Sequence, residues 1–309
     1  MRRFLILYLV FLGTFAAAAG AQTQSTYLFA ERDSVSLYLD VHMPADSALL
    51  AQGKPVVLFA FGGGFTSGSR AEKSYLPWFE ALTSLGYPVV SIDYRLGLKG
   101  AKFGINPKFV RQLEYSIHIA TEDMMAATLY LLENAEELGL EGRGIVAAGS
   151  SAGAITALQA EYCISNDMPE AEVLPEGFNF SGVMAFSGAV FSRKGRVRYA
   201  KEPCPQLLFH GTSDNLVPYK QIQALSTCLG GSCHIAQSLK QEGRNYQIWR
   251  FKDRHHEIAA SMLYNLRREL SFLEHNVEQG ERVIIDSTVV DSTLPAPSWA
   301  TATYKDTYK

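Results

Sequence analysis

Apolar and polar positions change their rhythm at Pro55. Before it, the residues Val35, Leu37, Leu39 and Val41 alternate with polar neighbours, the period of a half-exposed antiparallel strand, and Thr26 to Phe29 reads as its partner across the polar turn Glu31 to Ser34. After it, short unbroken apolar runs alternate with longer helical segments, the pattern of a parallel sheet covered on both faces. The predicted buried strands are Val56 to Phe61, Pro88 to Ile92, Gly144 to Ala148, Gly182 to Phe186, Gln206 to Phe209 and Tyr246 to Phe251. Helical segments are expected near Ser74 to Leu85, Tyr115 to Leu138, Ala152 to Cys163, Tyr219 to Cys228, Ile235 to Gln241 and Glu257 to Glu274. In the longest, Met124, Ala127, Leu131 and Leu138 recur on one face. The fold class is therefore α/β, with one domain over residues 22–280.

The two ends depart from this pattern. Arg2-Arg3, the apolar run Phe4 to Phe15 and the small residues Ala16 to Ala21 have the three regions of a secretory signal peptide, with cleavage expected after Ala21. The run is short for a membrane span, so an exported periplasmic or extracellular protein without stable membrane insertion is expected. From residue 281 onward the chain is poor in apolar residues, and one edge strand at Arg282 to Ile285 followed by a fraying tail is expected.

Composition narrows the function classes. The 309 residues carry a formal net charge of −3, 47% hydrophobic and 19% charged residues, and the basic side chains are scattered, which argues against a nucleic-acid partner. Four cysteines in an exported chain allow either disulfides or free thiols. Cys228 and Cys233 are near enough to bridge across Gly230-Gly231, which would leave Cys163 and Cys204 as the other pair. No cysteine or histidine spacing matches a zinc site, so no metal or cofactor is expected. Oligomeric state is not encoded in any recognisable pattern.

The chemistry centres on Gly149-Ser150-Ser151-Ala152-Gly153, a G-x-S-x-G pentapeptide between a buried strand and an Ala-rich helix. That is the setting of a nucleophile elbow, with Ser151 at the turn and small residues where the strand must bend sharply into the helix. Phe61-Gly62-Gly63-Gly64-Phe65 follows another buried strand. Three glycines there suit a backbone that presents N–H groups to an anion, so Gly63, Gly64 and Ala152 are the expected oxyanion donors. Ser151 needs a base, and the base needs an acid to fix its tautomer. Asp214 follows the strand Gln206 to Phe209, and of the seven histidines only His255 and His256 lie just beyond a later strand and before a helix. His256 is preferred over its neighbour.

These stretches, with Ser91 to Leu96 and Glu122-Asp123, resemble the α/β-hydrolase superfamily. The resemblance is to secreted bacterial carboxylesterases of the hormone-sensitive-lipase and feruloyl-esterase-like branch, and runs from about Val35 to Glu274. It implies an α/β-hydrolase fold with a mostly parallel sheet, and a catalytic triad of Ser151, Asp214 and His256. In such enzymes the histidine usually precedes a small or acidic residue, as His256 precedes Glu257. Phe61 stands where many relatives carry histidine, which leaves the backbone donors intact.

The expected substrate is a small-molecule or carbohydrate ester with a small acyl group. The segment between Phe186 and Gln206 is too short for a large helical cap, and Gly97 to Glu114 and Ile164 to Phe180 are expected as pocket-shaping loops on the active edge. A serine peptidase or amidase on the same fold, or an inactive hydrolase-fold binding protein, are the rival readings.

Overall fold

The structure, a computed structural model, describes residues 23–307 except Phe103, Ile105 and Leu225. The expected signal peptide lies outside the described residues. The N-terminal alternation forms β1 (Thr23–Arg32) and β2 (Val35–Met43), an antiparallel pair. Seven further strands complete the main sheet: β3 (Val56–Ala60), β4 (Val89–Ile92), β5 (Ile145–Ser150), β6 (Gly182–Phe186), β8 (Gln206–Gly211), β11 (Tyr246–Phe251) and β12 (Ile285–Val289). Their order is β1-β2-β4-β3-β5-β6-β8-β11-β12, and every neighbouring pair from β4 to β12 is parallel. Every residue of β3, β5, β6 and β8 is buried, which is why these strands read as unbroken apolar runs.

Among the described residues, five helices of eight residues or more flank the sheet: α1 (Leu76–Thr83), α2 (Pro107–Glu133), α3 (Ala152–Ile164), α4 (Ser232–Gln241) and α5 (Met262–Phe272). Helix α3 is buried on all sides from Ala152 to Cys163, and its continuous small and apolar surface fits a helix packed between sheet and α2. Helix α2 starts earlier than its apolar periodicity announces. Asn106 caps it, accepting from the Phe109 N–H at 3.0 Å, and Pro107 occupies the first helical position.

The segment Tyr219 to Cys228 is not helical. It contributes β9 (Gln221–Ala224) and joins β10 (Thr227–Gly231), which pairs with β7 (Ala189–Ser192) in a small antiparallel sheet. All of β9 is exposed, so its one large apolar residue, Ile222, has no core to face, and hydrogen bonding to β10 decides the conformation. The cysteines are free thiols. Cys228 Sγ faces Gln221 Oε1 on the neighbouring strand, whereas Cys233 Sγ accepts from Gln237 Nε2 one turn along α4.

Two further expectations give way. The segment 164–180 follows the far end of α3, so it lies at the edge opposite the elbow and lines a separate surface hollow. The chain after β12 does not trail away. Leu294 and Ala300 are buried, and the turn Ser298–Thr301 packs against the turn His256–Ala260.

Candidate active site

Ser151 sits between β5 and α3 with φ 52° and ψ −114°, a backbone conformation that side chains other than glycine rarely adopt. Its N–H donates to the Phe186 carbonyl at 2.9 Å, so the pairing of β5 with β6 continues into the turn and holds it. The flanking glycines are required by contact. A Cβ on Gly153 would stand 2.0 Å from the Ala60 carbonyl oxygen, and one on Gly149 would stand 2.2 Å from the Gly153 carbonyl carbon. Strand, turn and helix thus meet with no room for a side chain, and the Ser151 hydroxyl projects from the carboxyl end of the sheet.

His256 and Asp214 converge on it. His256 Nε2 lies 2.8 Å from Ser151 Oγ, and its Nδ1 lies 2.8 Å from Asp214 Oδ2. The second carboxylate oxygen of Asp214 accepts from the Leu216 and Val217 N–H groups at 2.9 and 3.0 Å, which turns the loop after β8 and fixes the carboxylate plane. Burial alone would raise the Asp214 carboxyl, but hydrogen bonds from His210 and His256 outweigh it and hold the group well below the usual carboxylate range. His255 is turned elsewhere: its Nδ1 lies 2.6 Å from the Ser213 carbonyl, and its N–H donates to Glu257. Of the adjacent histidines, His256 is the one that reaches the serine.

Gly63, Gly64 and Ala152 line the same cleft as Ser151 and His256. Gly63 has φ 128°, and a Cβ there would stand 2.0 Å from the Ser67 carbonyl oxygen, so the turn after β3 admits only glycine. Two tyrosines hold this loop, Tyr75, which no sequence pattern marks, and Tyr94 of the stretch Ser91 to Leu96. Tyr75 Oη accepts from the Gly62 N–H at 3.0 Å, and Tyr94 Oη donates to the Phe61 carbonyl at 2.8 Å. The Tyr94 ring also stacks on Phe61, 4.4 Å between centroids, which gives the aromatic residue before the glycines a packing role. Arg95 and Asp123 are tied together away from this chemistry: the buried Asp123 carboxylate accepts from the Arg95 N–H at 2.7 Å and from its guanidinium.

The cleft encloses about 510 Å³, within the range of small-molecule sites. Its walls include Leu113 of α2 and Leu229 of β10, and Trp299, Tyr304 and Thr307 from beyond β12. Leu113 belongs to the segment Gly97 to Glu114, and residue 113 shapes the cleft from a helix rather than a loop. No residue of 164–180 reaches it. Among the described residues, no group of three His, Cys, Asp or Glu side chains is placed to hold a metal ion.

A family model described as BD-FAE matches residues 39–190. Among curated proteins the chain is similar to fumonisin B1 esterase of Sphingopyxis macrogoltabida, 31% identical over 122 residues, 38% of this chain and 21% of that protein. It is also similar to secreted lipase 1 of Botryotinia fuckeliana, 25% identical over 202 residues, 63% of this chain and 32% of that protein. The matched region therefore spans about a fifth to a third of these relatives. Among solved structures, esterase 2 of the planctomycete Thermogutta terrifontis superimposes with a TM-score of 0.58 at 22% identity, covering 82% of this chain and 93% of that one. The same esterase with propionate or butyrate bound superimposes with a TM-score of 0.56. The superposition shows that this chain has the α/β-hydrolase fold, and the BD-FAE match covers residues 39–190, the part of it that contains Ser151.

Proposed function

We propose that the protein is a serine carboxylesterase, exported from the cytoplasm, that cleaves compact esters of small-molecule or carbohydrate alcohols through an acyl-enzyme. The observation that carries this reading is the unbroken line from Asp214 through His256 to Ser151, with both gaps at 2.8 Å and the serine on a strained turn. As Ser151 Oγ attacks the ester carbonyl, its proton passes to His256 Nε2 and the carbonyl oxygen becomes an oxyanion. The N–H groups of Gly63, Gly64 and Ala152 stabilise that charge. Collapse of the tetrahedral intermediate breaks the bond to the alcohol oxygen, which takes the proton from His256 Nε2 as it leaves. Water then gives a proton to His256 and attacks the acyl carbon, and collapse of this second intermediate releases the acid as Ser151 Oγ takes the proton back from His256 Nε2. Asp214 accepts from Nδ1–H throughout, which keeps the lone pair on Nε2 available.

The named similarities to esterases and a lipase support ester hydrolysis, and the propionate- and butyrate-bound neighbours support a short acyl group. The run from Arg2 to Ala21 supports export. Hydrolysis of an aryl acetate by the wild type and by Ser151→Ala tests the assignment. The variant is expected to lose at least about 1,000-fold in kcat. Equal rates would overturn the reading.

A further inference from the structure

The chain beyond β12 forms a strap that lines one side of the cleft through Trp299, Tyr304 and Thr307. Asp291 accepts from the Tyr264 hydroxyl of α5, and the Leu294 carbonyl accepts from the Arg254 guanidinium. Arg254 Nε also lies 2.9 Å from Glu257 Oε1, and the other oxygen of Glu257 accepts from the His255 N–H. The strap is thus fastened to the loop that carries His256. Ala300 is buried in the turn that packs on His256–Ala260, and this holds its neighbour Trp299 in the lining of the cleft. Trp299 nevertheless remains 44% exposed. A tryptophan whose backbone is held by a buried neighbour, in the lining of the cleft that contains Ser151, is a bulky wall there.

Resting on the esterase reading, we propose that residues 290–307 are a built-in specificity strap, and that Trp299, together with Tyr304, sets the upper length of ester the site accepts. The domain has no helical cap between Phe186 and Gln206, where the short strand β7 and turns stand instead. Leu113 and Leu229 form other walls of the cleft, so an alkyl chain extending from Ser151 along the strap side meets the indole ring. Short acyl groups end before it. Long ones must displace the strap and break its seat at Ala300.

The full-length wild type, Trp299→Ala and Tyr304→Ala are compared on p-nitrophenyl acetate, butyrate and octanoate. The readout is the ratio of kcat/KM for octanoate over acetate, because general destabilisation lowers both rates and leaves the ratio alone. Trp299→Ala is expected to raise the ratio about tenfold or more, with a smaller rise for Tyr304→Ala, since removing a steric wall releases several methylenes of discrimination. Acetate turnover with ratios within about twofold of wild type in both variants would overturn the strap proposal alone. A wild type that cleaves none of the three esters would overturn the esterase reading, and the strap proposal with it.

Discussion

His210 Nε2 stands 3.4 Å from Asp214 Oδ2, the same carboxylate oxygen that meets His256 Nδ1. His210 is fully buried at the end of β8, with the Val217 carbonyl 3.2 Å from Nε2 and the Ser232 hydroxyl 2.8 Å from Nδ1. A carbonyl only accepts, so Nε2 carries a proton and also points it at the carboxylate. Asp214 therefore has donors on both oxygens before any substrate arrives.

His210→Phe removes that donor while keeping a ring in the space, and is expected to lower kcat about 10- to 100-fold, because a hydrogen bond to a charged group contributes about 1.5–3 kcal/mol. His210→Gln, whose amide can reach the same oxygen, should recover part of the loss. Steady-state kinetics on an aryl acetate, with circular dichroism to check folding, separates the two. Equal kcat for the phenylalanine variant and wild type would show that His256 and the loop N–H groups hold Asp214 unaided.

Asp214→Asn keeps the shape but presents an amide where His256 Nδ1–H needs an acceptor, and kcat should fall about 10,000-fold at neutral pH. The depressed carboxyl also has a sign in stability. A group whose folded pKa lies below its unfolded value contributes stability that is present above the unfolded pKa, near 4, and is lost as pH falls below it. Thermal unfolding between about pH 2 and pH 6 should therefore show the gap between wild type and Asp214→Asn narrowing towards acid. A gap that stays constant would mean the carboxyl titrates normally.

The convergence of Ser151, Asp214 and His256 was legible because each sits where local pattern and chain order agree: a pentapeptide at a strand-helix turn, an acid after β8 and a histidine after β11. The structure also resolves the adjacent pair through the turn of His255 towards Ser213. Other features had no local signature. Ile222, Leu225 and Cys228 fall three apart and imitate a helical face, whereas the pairing of β9 and β10 depends on partners that sequence does not reveal. The segment 164–180 was assigned to the wrong edge, since a crossover helix carries the chain back across the sheet. The strap was hidden by its low apolar content, although Leu294 and Ala300 are buried and seat it.

Gly153→Ala tests how tightly the elbow is built. The added methyl would meet backbone at Ala60, both the oxygen at 2.0 Å and the carbonyl carbon at 2.5 Å, and no flexible side-chain end is there to give way. A cost of at least about 3 kcal/mol is expected, the upper part of the usual overpacking range. Thermal unfolding should fall by several degrees, and residual hydrolysis should drop further than folded fraction because the strand and helix that hold Ser151 must separate. A variant with wild-type melting and activity would disprove the close approach.

Glu161 predicts a pH effect of opposite sign to that of Asp214. It is fully buried on α3, accepting from Ser165 Oγ at 2.5 Å and from the N–H and thiol of Cys204, each at 3.1 Å. Burial pushes its carboxyl up to about 7, and the hydrogen bonds from Ser165 and Cys204 only partly counter this. The unfolded chain releases the same proton near pH 4.3, so between there and about pH 7 the folded state binds more protons and stability falls as pH rises. The full loss is roughly 4 kcal/mol at about 1.4 kcal/mol per pKa unit. Glu161→Gln stays neutral throughout and should melt close to wild type near pH 5 but above it at pH 8.5. Parallel melting curves for the two chains across that range would mean that Glu161 ionises at its ordinary pKa inside the fold, and that the Ser165 and Cys204 donors suffice to offset its burial.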